Sequence, residues 1–305
     1  MDVSLTDEQL EWQSATGGVA AAHAVTGPHD LDAIDASDGW AAVLELGVPS
    51  LPSPRHAGVE HTAVETALAI EQFARHLSTV PLVGQASIAP AMLAAAGAHT
   101  ALDALVEGAV RFAPAFRADL RDLGRVGEDT VAFDAIGATH ALLLDCSGPS
   151  PALAAVELAS AGPDGLDLTR QVVPVAAGAA VDPEAELGDP LGDEQLEALL
   201  AFALTALAAD LLGVMDGALA DAVGYAKDRE QFGVPIGSFQ AVQHLLADAA
   251  VATEGARGCV WHAAWAADHL DGPAAMVAAR TAKAACSAAA MSVAEASTQV
   301  FGGIA

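Results

Sequence analysis

The residues able to do chemistry gather in two places near the end of the 305-residue chain. The first is Tyr225-Ala226-Lys227-Asp228-Arg229-Glu230-Gln231-Phe232-Gly233, continued by Val234-Pro235-Ile236-Gly237-Ser238-Phe239-Gln240 and Leu245-Leu246-Ala247-Asp248. The second is Gln299-Val300-Phe301-Gly302-Gly303. An arginine just before a helix-ending Phe-Gly projects a planar guanidinium that bonds a pyrophosphate through two parallel N–H groups, which an ammonium does less well. Gly302 and Gly303 carry no Cβ, so backbone there can approach a phosphate or ribose closely. The plainer alternative is that Arg229 neutralises a local Asp and Phe232 packs.

Other constellations carry less. There is no G-x-G-x-x-G, P-loop, H-E-x-x-H or G-x-S-x-G, so the usual dinucleotide, nucleotide, zinc and serine-hydrolase signatures are missing. His56 and His61 are five apart and do not share a helical face, while His262 and His269 lie ~10 Å apart along a helix axis. No metal site is expected from either pair, and locally bonded histidines are the ordinary reading. Asp119, Asp122, Glu128 and Asp129 read as a solvated acidic face. Cys146, Cys259 and Cys286 are odd in number and widely spaced, which points to small core residues rather than a disulfide framework or zinc site.

Twelve Lys+Arg against 40 Asp+Glu leave a net charge of −28, and Lys occurs only at Lys227 and Lys283. Such a field repels phosphate backbones, so nucleic acid is not among the expected partners. Mean hydropathy is high at +0.40, but Ala carries much of it. The richest stretch, Leu196 to Leu212, contains Glu197, Thr205 and Asp210 and reads as a buried helix rather than a membrane span. The first residues are acidic, unlike a secretory leader, so a cytoplasmic compartment is expected.

These residues need elements to position them. Abundant Ala with 4% aromatics favours closely packed helices. Thr6 with Gln9 forms a capping-box pattern opening a helix over about 7–23. Gly27-Pro28-His29-Asp30 breaks it, a second helix holds Ile34 to Leu46, and the prolines at 49, 52 and 54 make 49–58 a loop. Helical period resumes from Val59, with Val64, Leu68, Phe73 and Leu77 on one face, a turn at 78–81 and further helix to about Glu107. Runs at 110–114, 130–134, 140–146 and 168–173 alternate with Gly, Pro and Asp and read as strands. After Gly188-Asp189-Pro190 a helix of over thirty residues, about Glu194 to Lys227, is expected. Ser238 then caps a second long helix to about Leu270, and Asp271-Gly272-Pro273 opens a third running toward Gly302-Gly303. The reading is mainly α with a small β middle domain, divided as 1–109 helical, 110–190 β and 191–305 helical bundle.

The two motifs resemble the C-terminal helical domain of acyl-CoA dehydrogenases. That family shows Tyr-x-x-x-Arg-x-x-Phe-Gly, a short turn with Pro-Ile, Phe-Gln and then Leu-Ala-Asp, with Gln-x-x-Gly-Gly later in the chain. Gly47-Val48-Pro49 and the stretch from Glu65 to Arg75 look like its N-terminal domain, and the order helices, sheet, four-helix bundle agrees with its architecture. The resemblance implies that Arg229, Gln231, Phe232, Phe239, Gln240, Gln299, Gly302 and Gly303 contact the ADP half of an FAD whose flavin is bound mainly by a neighbouring subunit.

Two parts of the family pattern are missing. Nothing in 110–190 looks like the flavin-holding Tyr-x-x-Thr-Glu-Pro-x-x-Gly-Ser segment or the later Trp-Ile-Thr strand; Gly162-Pro163-Asp164-Gly165 is only a turn. The family's glutamate base lies either beyond Gln-x-x-Gly-Gly, past Ala305 here, or on the long helix about seven turns before the Arg, where Ala203 stands beside Leu204 and Thr205. Glu197 and Asp210 are each about two turns from Ala203. The resemblance therefore implies a non-catalytic subunit of a heteromeric acyl-CoA dehydrogenase, similar to those of actinobacterial steroid side-chain degradation, which form α2β2 tetramers with half the usual FAD complement. It further implies a homologous partner that carries the Glu, and a reaction that is α,β-dehydrogenation of a bulky acyl-CoA. The alternatives are a catalytically dead homologue that binds a partner through its long helices without touching cofactor, and a complete dehydrogenase whose flavin segment has diverged.

Overall fold

The computed structural model describes residues 4–27, 29, 31, 36–58, 62–158, 167–182, 185 and 187–304. Expectations at Pro28, Asp30, Ile34, Val59, His61, Gly162 to Gly165 and Ala305 lie outside them. Helix α1 (Asp7–Ala22) starts with the expected reciprocal cap: the Gln9 backbone N–H donates to the Thr6 hydroxyl, and the Gln9 side chain accepts from the Thr6 N–H. Helix α2 (Ala36–Glu45) follows. The proline-rich stretch is not the irregular loop expected. It forms a 3-10 turn at Val48–Ser50 and a one-turn helix α3 (Pro54–Ala57), because Pro at the first helical positions has no N–H to satisfy.

Helix α4 (Ala63–Arg75) buries Leu68 and Phe73 as its period requires. Leu77 departs from that face: it lies past the helix end at φ 50° and is exposed. The continuous helix expected up to Glu107 is broken. A π turn at Gly84–Ile88 leads into α5 (Ala89–Ala95), and Gly97 at φ 66° separates it from α6 (His99–Val106).

Among the described residues five strands form the sheet, in the order β4-β3-β1-β2-β5. They are β1 (Phe112–Phe116), β2 (Thr130–Ala132), β3 (His140–Asp145), β4 (Ala152–Glu157) and β5 (Val173–Val175). β1 and β3 run parallel, and every other pair is antiparallel. Two corrections to the sequence reading follow. Residues 168–169 are a turn, so the last strand starts only at Val173. The Ala-rich β4 has no local strand signal and is set by its pairing along the whole length of β3.

The long helices match expectation most closely. α7 (Asp193–Asp228) is 36 residues long and buries Leu199, Ala203, Leu207, Leu212 and Met215 among others. By length and composition it could cross a membrane, with an 18-residue window of mean hydropathy 2.1, but 67% of that window is buried inside the molecule. A core helix accounts for its apolar character. α8 (Gln240–His269) is preceded by Phe239, not Ser238, at the cap; the Ser238 hydroxyl instead donates to the Pro235 carbonyl. α9 (Gly272–Phe301) starts as expected, the Asp271 carboxylate accepting from the Ala274 N–H.

α7 packs against α4, α8 and α9 through small residues. A Cβ at Gly213 would lie 2.3 Å from the Glu71 carbonyl oxygen and 2.7 Å from Ala74 Cβ, and one at Gly217 would lie 2.4 Å from the Arg75 carbonyl oxygen. Two ion networks flank this contact. Arg257 of α8 pairs with Glu71 and lies 2.9 Å from Asp216, and Arg75 also pairs with Asp216. On the sheet side Arg170 lies 3.1 Å from Asp134 and 2.8 Å from Asp210 of α7, while the Gly84 N–H donates to Asp134 at 2.7 Å. The cysteines divide: Cys286 is a core residue whose thiol burial pushes up to about 12, whereas Cys146 is exposed and is not the core residue expected.

Gly213→Ala should lower the unfolding free energy by about 1–3 kcal/mol, because α4 and α7 must separate to admit the methyl group. Gly224→Ala in the same helix meets nothing within 4 Å, so it should be neutral or stabilising by about 1 kcal/mol. Denaturant unfolding of both variants checks the contrast, and equal effects would contradict the close packing. Burial raises the Asp134 carboxyl from 3.8 to about 6, against the pull of Arg170 and the Gly84 N–H. The folded state therefore holds this proton more tightly than the unfolded chain, so its stabilisation is complete below 3.8 and lost as pH rises through about 6. Melting midpoints should rise as pH is lowered from about 7.5 to about 5, and Asp134→Asn should reduce that rise.

Candidate functional site

Antiparallel helices bring the C-terminal end of α7, the N-terminal end of α8 and the C-terminal end of α9 together at one end of the bundle. Ala222, Ala226 and Val300 form a buried cluster there, with Tyr225, Ile236, Val242, Leu245, Leu246 and Phe301 packed against it. Tyr225 packs against Phe301 with the rings tilted by 39° and centroids 4.8 Å apart, which joins the two sequence motifs physically. Ser297 adds a polar tie by donating to the Ala218 carbonyl at 3.1 Å.

α7 ends at Asp228, and the chain turns back through a hairpin of β6 (Glu230–Gln231) and β7 (Val234–Pro235). Gln231 pairs with Val234, leaving Phe232-Gly233 as a two-residue loop with φ 55° and 80°. Positive φ at both loop positions is the mirror-image turn that matches strand twist, which Asn-Gly usually supplies. Phe232 adopts it at a steric cost that glycine would not incur. The hairpin is held to the bundle by the Ile236 N–H donating to the Arg229 carbonyl, and Gly237 lies so close to α7 that a Cβ would be 2.9 Å from the Ala226 carbonyl oxygen.

All eight sequence-predicted residues, Arg229, Gln231, Phe232, Phe239, Gln240, Gln299, Gly302 and Gly303, are exposed. Phe232 is 94% exposed and touches Phe239 edge to face, with centroids 6.2 Å apart. No carboxylate of the described residues lies within ion-pair distance of Arg229. Among the described residues, Phe232 has no ring partner beyond that edge contact, and Arg229 no carboxylate partner. Gly302 has φ 67°, a left-handed value suited to glycine, and a Cβ at Gly302 or Gly303 would meet nothing within 4 Å. The backbone there is open to a ligand, and a free guanidinium stands at the same end of the bundle. Those two features fit the phosphates and ribose of a dinucleotide.

Among the described residues, no carboxylate stands at the position on α7 that the sequence reading assigned to the base. Ala203 is fully buried, Leu204 and Thr205 are nearly so, and the Thr205 hydroxyl donates to the Ala201 carbonyl. Asp210 is bound to Arg170, and the Glu197 carboxylate sits beside Gly272 at the start of α9. Of the histidines, His56 lies 2.8 Å from Asp103, and His262 and His269 flank the Trp265 ring. The acidic run is loop chemistry: Asp119 accepts from the Arg121 N–H, and Asp129 from the Ala177 N–H. The sequence reading missed the left-handed Phe232 and the Tyr225–Phe301 contact; the aromatic inside each motif was the available signal.

Comparison with known proteins bears on the fold that carries this geometry. Residues 194–305 match the family model described as the acyl-CoA dehydrogenase C-terminal domain. The acyl-CoA dehydrogenase IpdE2 of Mycolicibacterium smegmatis is 31% identical over 231 residues, 72% of this chain and 64% of that protein, so the alignment spans less than two thirds of its length. Among solved structures, a Tcur3481-Tcur3483 steroid ACAD variant superposes with TM-score 0.76 at 28% identity, over 98% of this chain and 88% of that one. The ChsE4-ChsE5 complex of Mycobacterium tuberculosis also gives TM-score 0.76, at 23% identity and over 100% and 89% of the two chains, which speaks for the fold. The helical bundle is thus an acyl-CoA dehydrogenase C-terminal domain, and the chain as a whole has the acyl-CoA dehydrogenase fold, resembling the steroid-degrading members of that family.

Proposed function

We propose that this chain is a subunit of a heteromeric, FAD-dependent acyl-CoA dehydrogenase, built from units 1–109, 110–190 and 191–305. It contributes the ADP and pyrophosphate side of an FAD shared with a homologous partner subunit that carries the flavin-ring pocket and the glutamate base. The reaction is α,β-dehydrogenation of a bulky acyl-CoA thioester, steroid-derived as the description of the Tcur3481-Tcur3483 relative suggests. A cytoplasmic location accords with that substrate. One observation carries the reading: Arg229 and Phe232 are presented to solvent by a closed hairpin, while the base position holds the buried Ala203.

In this assignment FAD supplies the hydride acceptor. Arg229 binds the pyrophosphate bidentately, and Phe232 and Phe239 offer aromatic faces to the adenine side. Gln231, Gln240 and Gln299 supply amide donors and acceptors, and Gly302 and Gly303 leave room for the ribose. None of these residues moves a proton, so the α-proton leaves to the partner's carboxylate.

Co-expressed with its partner and purified, the complex should show the visible bands of oxidised flavin, and this chain purified alone should be colourless. Flavin in the lone chain would instead indicate a complete dehydrogenase with a diverged flavin segment. Arg229→Ala should strip FAD from the complex, each lost charge-assisted hydrogen bond weakening binding by about 1.5–3 kcal/mol, or roughly 10- to 150-fold. Unchanged flavin content would favour the homologue that only scaffolds through its helices.

Phe232→Gly separates a binding role from a packing one. Relief of the left-handed strain, about 1–2 kcal/mol, offsets loss of the Phe239 edge contact, about 0.5–1.5 kcal/mol, so the melting midpoint of the chain should hold or rise. FAD retention by the complex should fall. A core phenylalanine would lose stability on the order of 3–5 kcal/mol, a result that overturns the assignment.

A further inference from the structure

The proline-rich turn brings a hydroxyl, an imidazole and a carboxylate into line. His56 of α3 lies 3.1 Å through Nδ1 from the Ser53 Oγ and 2.8 Å through Nε2 from Oδ1 of Asp103 on α6. A carboxylate can only accept, so Nε2 carries the hydrogen. In the neutral ring the Nδ1 lone pair then faces the Ser53 hydroxyl, which donates to it. Arg55 also reaches Asp103, at 3.3 Å. The hydrogen bond from His56, aided by the Arg55 charge, holds the Asp103 carboxyl below its ordinary value, so it is ionised at neutral pH. His140 also stands between a hydroxyl and a carboxylate, Thr139 at 2.9 Å and Asp182, but Asp182 is 3.7 Å away and beyond hydrogen-bond reach.

Local structure fixes the first two groups. Ser53 stands between Pro52 and Pro54, and a residue before proline is confined to extended backbone, which its φ of −123° and ψ of 110° obey. It occupies the cap position of α3, where a serine hydroxyl ordinarily accepts a backbone N–H from the first turn. It makes no such bond. The Ser53 carbonyl takes the His56 and Ala57 N–H groups instead, and the hydroxyl is left to the imidazole. Giving up a local role for a side chain placed as a base is how functional residues depart from ordinary capping. Ser53 is 4% exposed, while its neighbours Pro52 and Pro54 line an apolar cavity of about 370 Å³ together with Ala91, Ala94 and Phe202. A nucleophile so enclosed admits a small acyl group and excludes a long one.

We propose that Ser53, His56 and Asp103 act as nucleophile, base and orienting carboxylate in the hydrolysis of a short-chain acyl ester. Ser53 Oγ bonds the acyl carbon as its proton passes to His56 Nδ1. The bond from that carbon to the alcohol oxygen breaks, and the leaving oxygen takes the proton from His56. Water gives a proton to the same nitrogen and attacks the acyl-serine; the carboxylic acid departs, and Ser53 recovers its proton. Asp103 keeps the ring in the required tautomer and stabilises the imidazolium that forms. Every atom comes from the ester and water, with no change of oxidation state. None of the three residues belongs to the hairpin or to the end of α9, so the activity is separate from the FAD assignment.

The test is labelling of the 305-residue chain with diisopropyl fluorophosphate, a small reagent that phosphorylates activated serines, read by peptide mass spectrometry. Label is expected on the peptide that contains Ser53. Its rate should fall at least ~100-fold in His56→Ala and at least ~10-fold in Asp103→Asn, and stay unchanged in Thr139→Ala. With p-nitrophenyl acetate the chain should release a burst of p-nitrophenol and carry an acetyl group on Ser53, and p-nitrophenyl decanoate should give no burst. The unaltered chain decides first, so a variant that misfolds cannot rescue or sink the result, and melting midpoints identify such a variant. Absence of label on Ser53, or a rate untouched by His56→Ala in a folded chain, overturns the proposal. Arg229 is judged on flavin content, so either assignment can fail without the other.

Discussion

The closeness of α4 and α7 sets most of the molecule. At Gly213 and Gly217 the two backbones approach until no side chain fits between them, and alanines at 203, 206, 208 and 209 continue the buried surface of α7. A chain with only 4% aromatics reaches interior packing density by bringing backbones together instead of filling space with rings. The small-residue face then runs on through Ala222 and Ala226 to the end of α7, where Val300 of α9 meets it. Where Arg229 leaves the helix, and which way the hairpin turns, follow from that contact.

Close helices leave little freedom for charge, and the interior charges are correspondingly ordered. Glu71 is nearly fully buried, and burial raises its carboxyl despite Arg257, which also reaches Asp216. On the sheet side burial pulls the Arg170 pKa down, but Asp134, Asp210 and Asp167 outweigh it and the net direction is up. Buried pairs of this kind add little net stability, whereas breaking one leaves an uncompensated charge. Their consequence is geometric: Asp134 is bonded to Gly84 and paired with Arg170, which also holds Asp210, so the π turn, the sheet and α7 have one relative placement.

The parts of this design that were legible in the sequence are those with local causes. Thr6 and Gln9 announce a helix start, Asp271 with Pro273 announces another, and a Pro-free run announces α7. The two motifs of the proposed site were legible for the same reason, since each is contiguous. What escaped was decided by distant partners. Ala152 to Glu157 is strand because β3 offers it a ladder, and Ser238 is not a cap because the Pro235 carbonyl takes its hydroxyl. Phe232-Gly233 hides a mirror-image turn behind an aromatic where Asn is usual, and only the fold displays how much of that ring faces water.

The same fold explains why α7 carries a small residue, and not a carboxylate, at position 203. Ala203 is fully buried, between Leu199 and Leu207 along one side of α7, and its neighbour Thr205 already satisfies its hydroxyl within the helix. A carboxylate in that place would lose its hydration with no cation assigned to it, since Arg170 is committed to Asp210 and Asp134. The small residue at 203 is part of the surface that lets α7 sit so close to its neighbours. A chain that gains its core by backbone proximity therefore gives up room for a proton acceptor at that point, and this supports the division of labour in which binding groups lie on the outer end of the bundle and the base comes from another subunit.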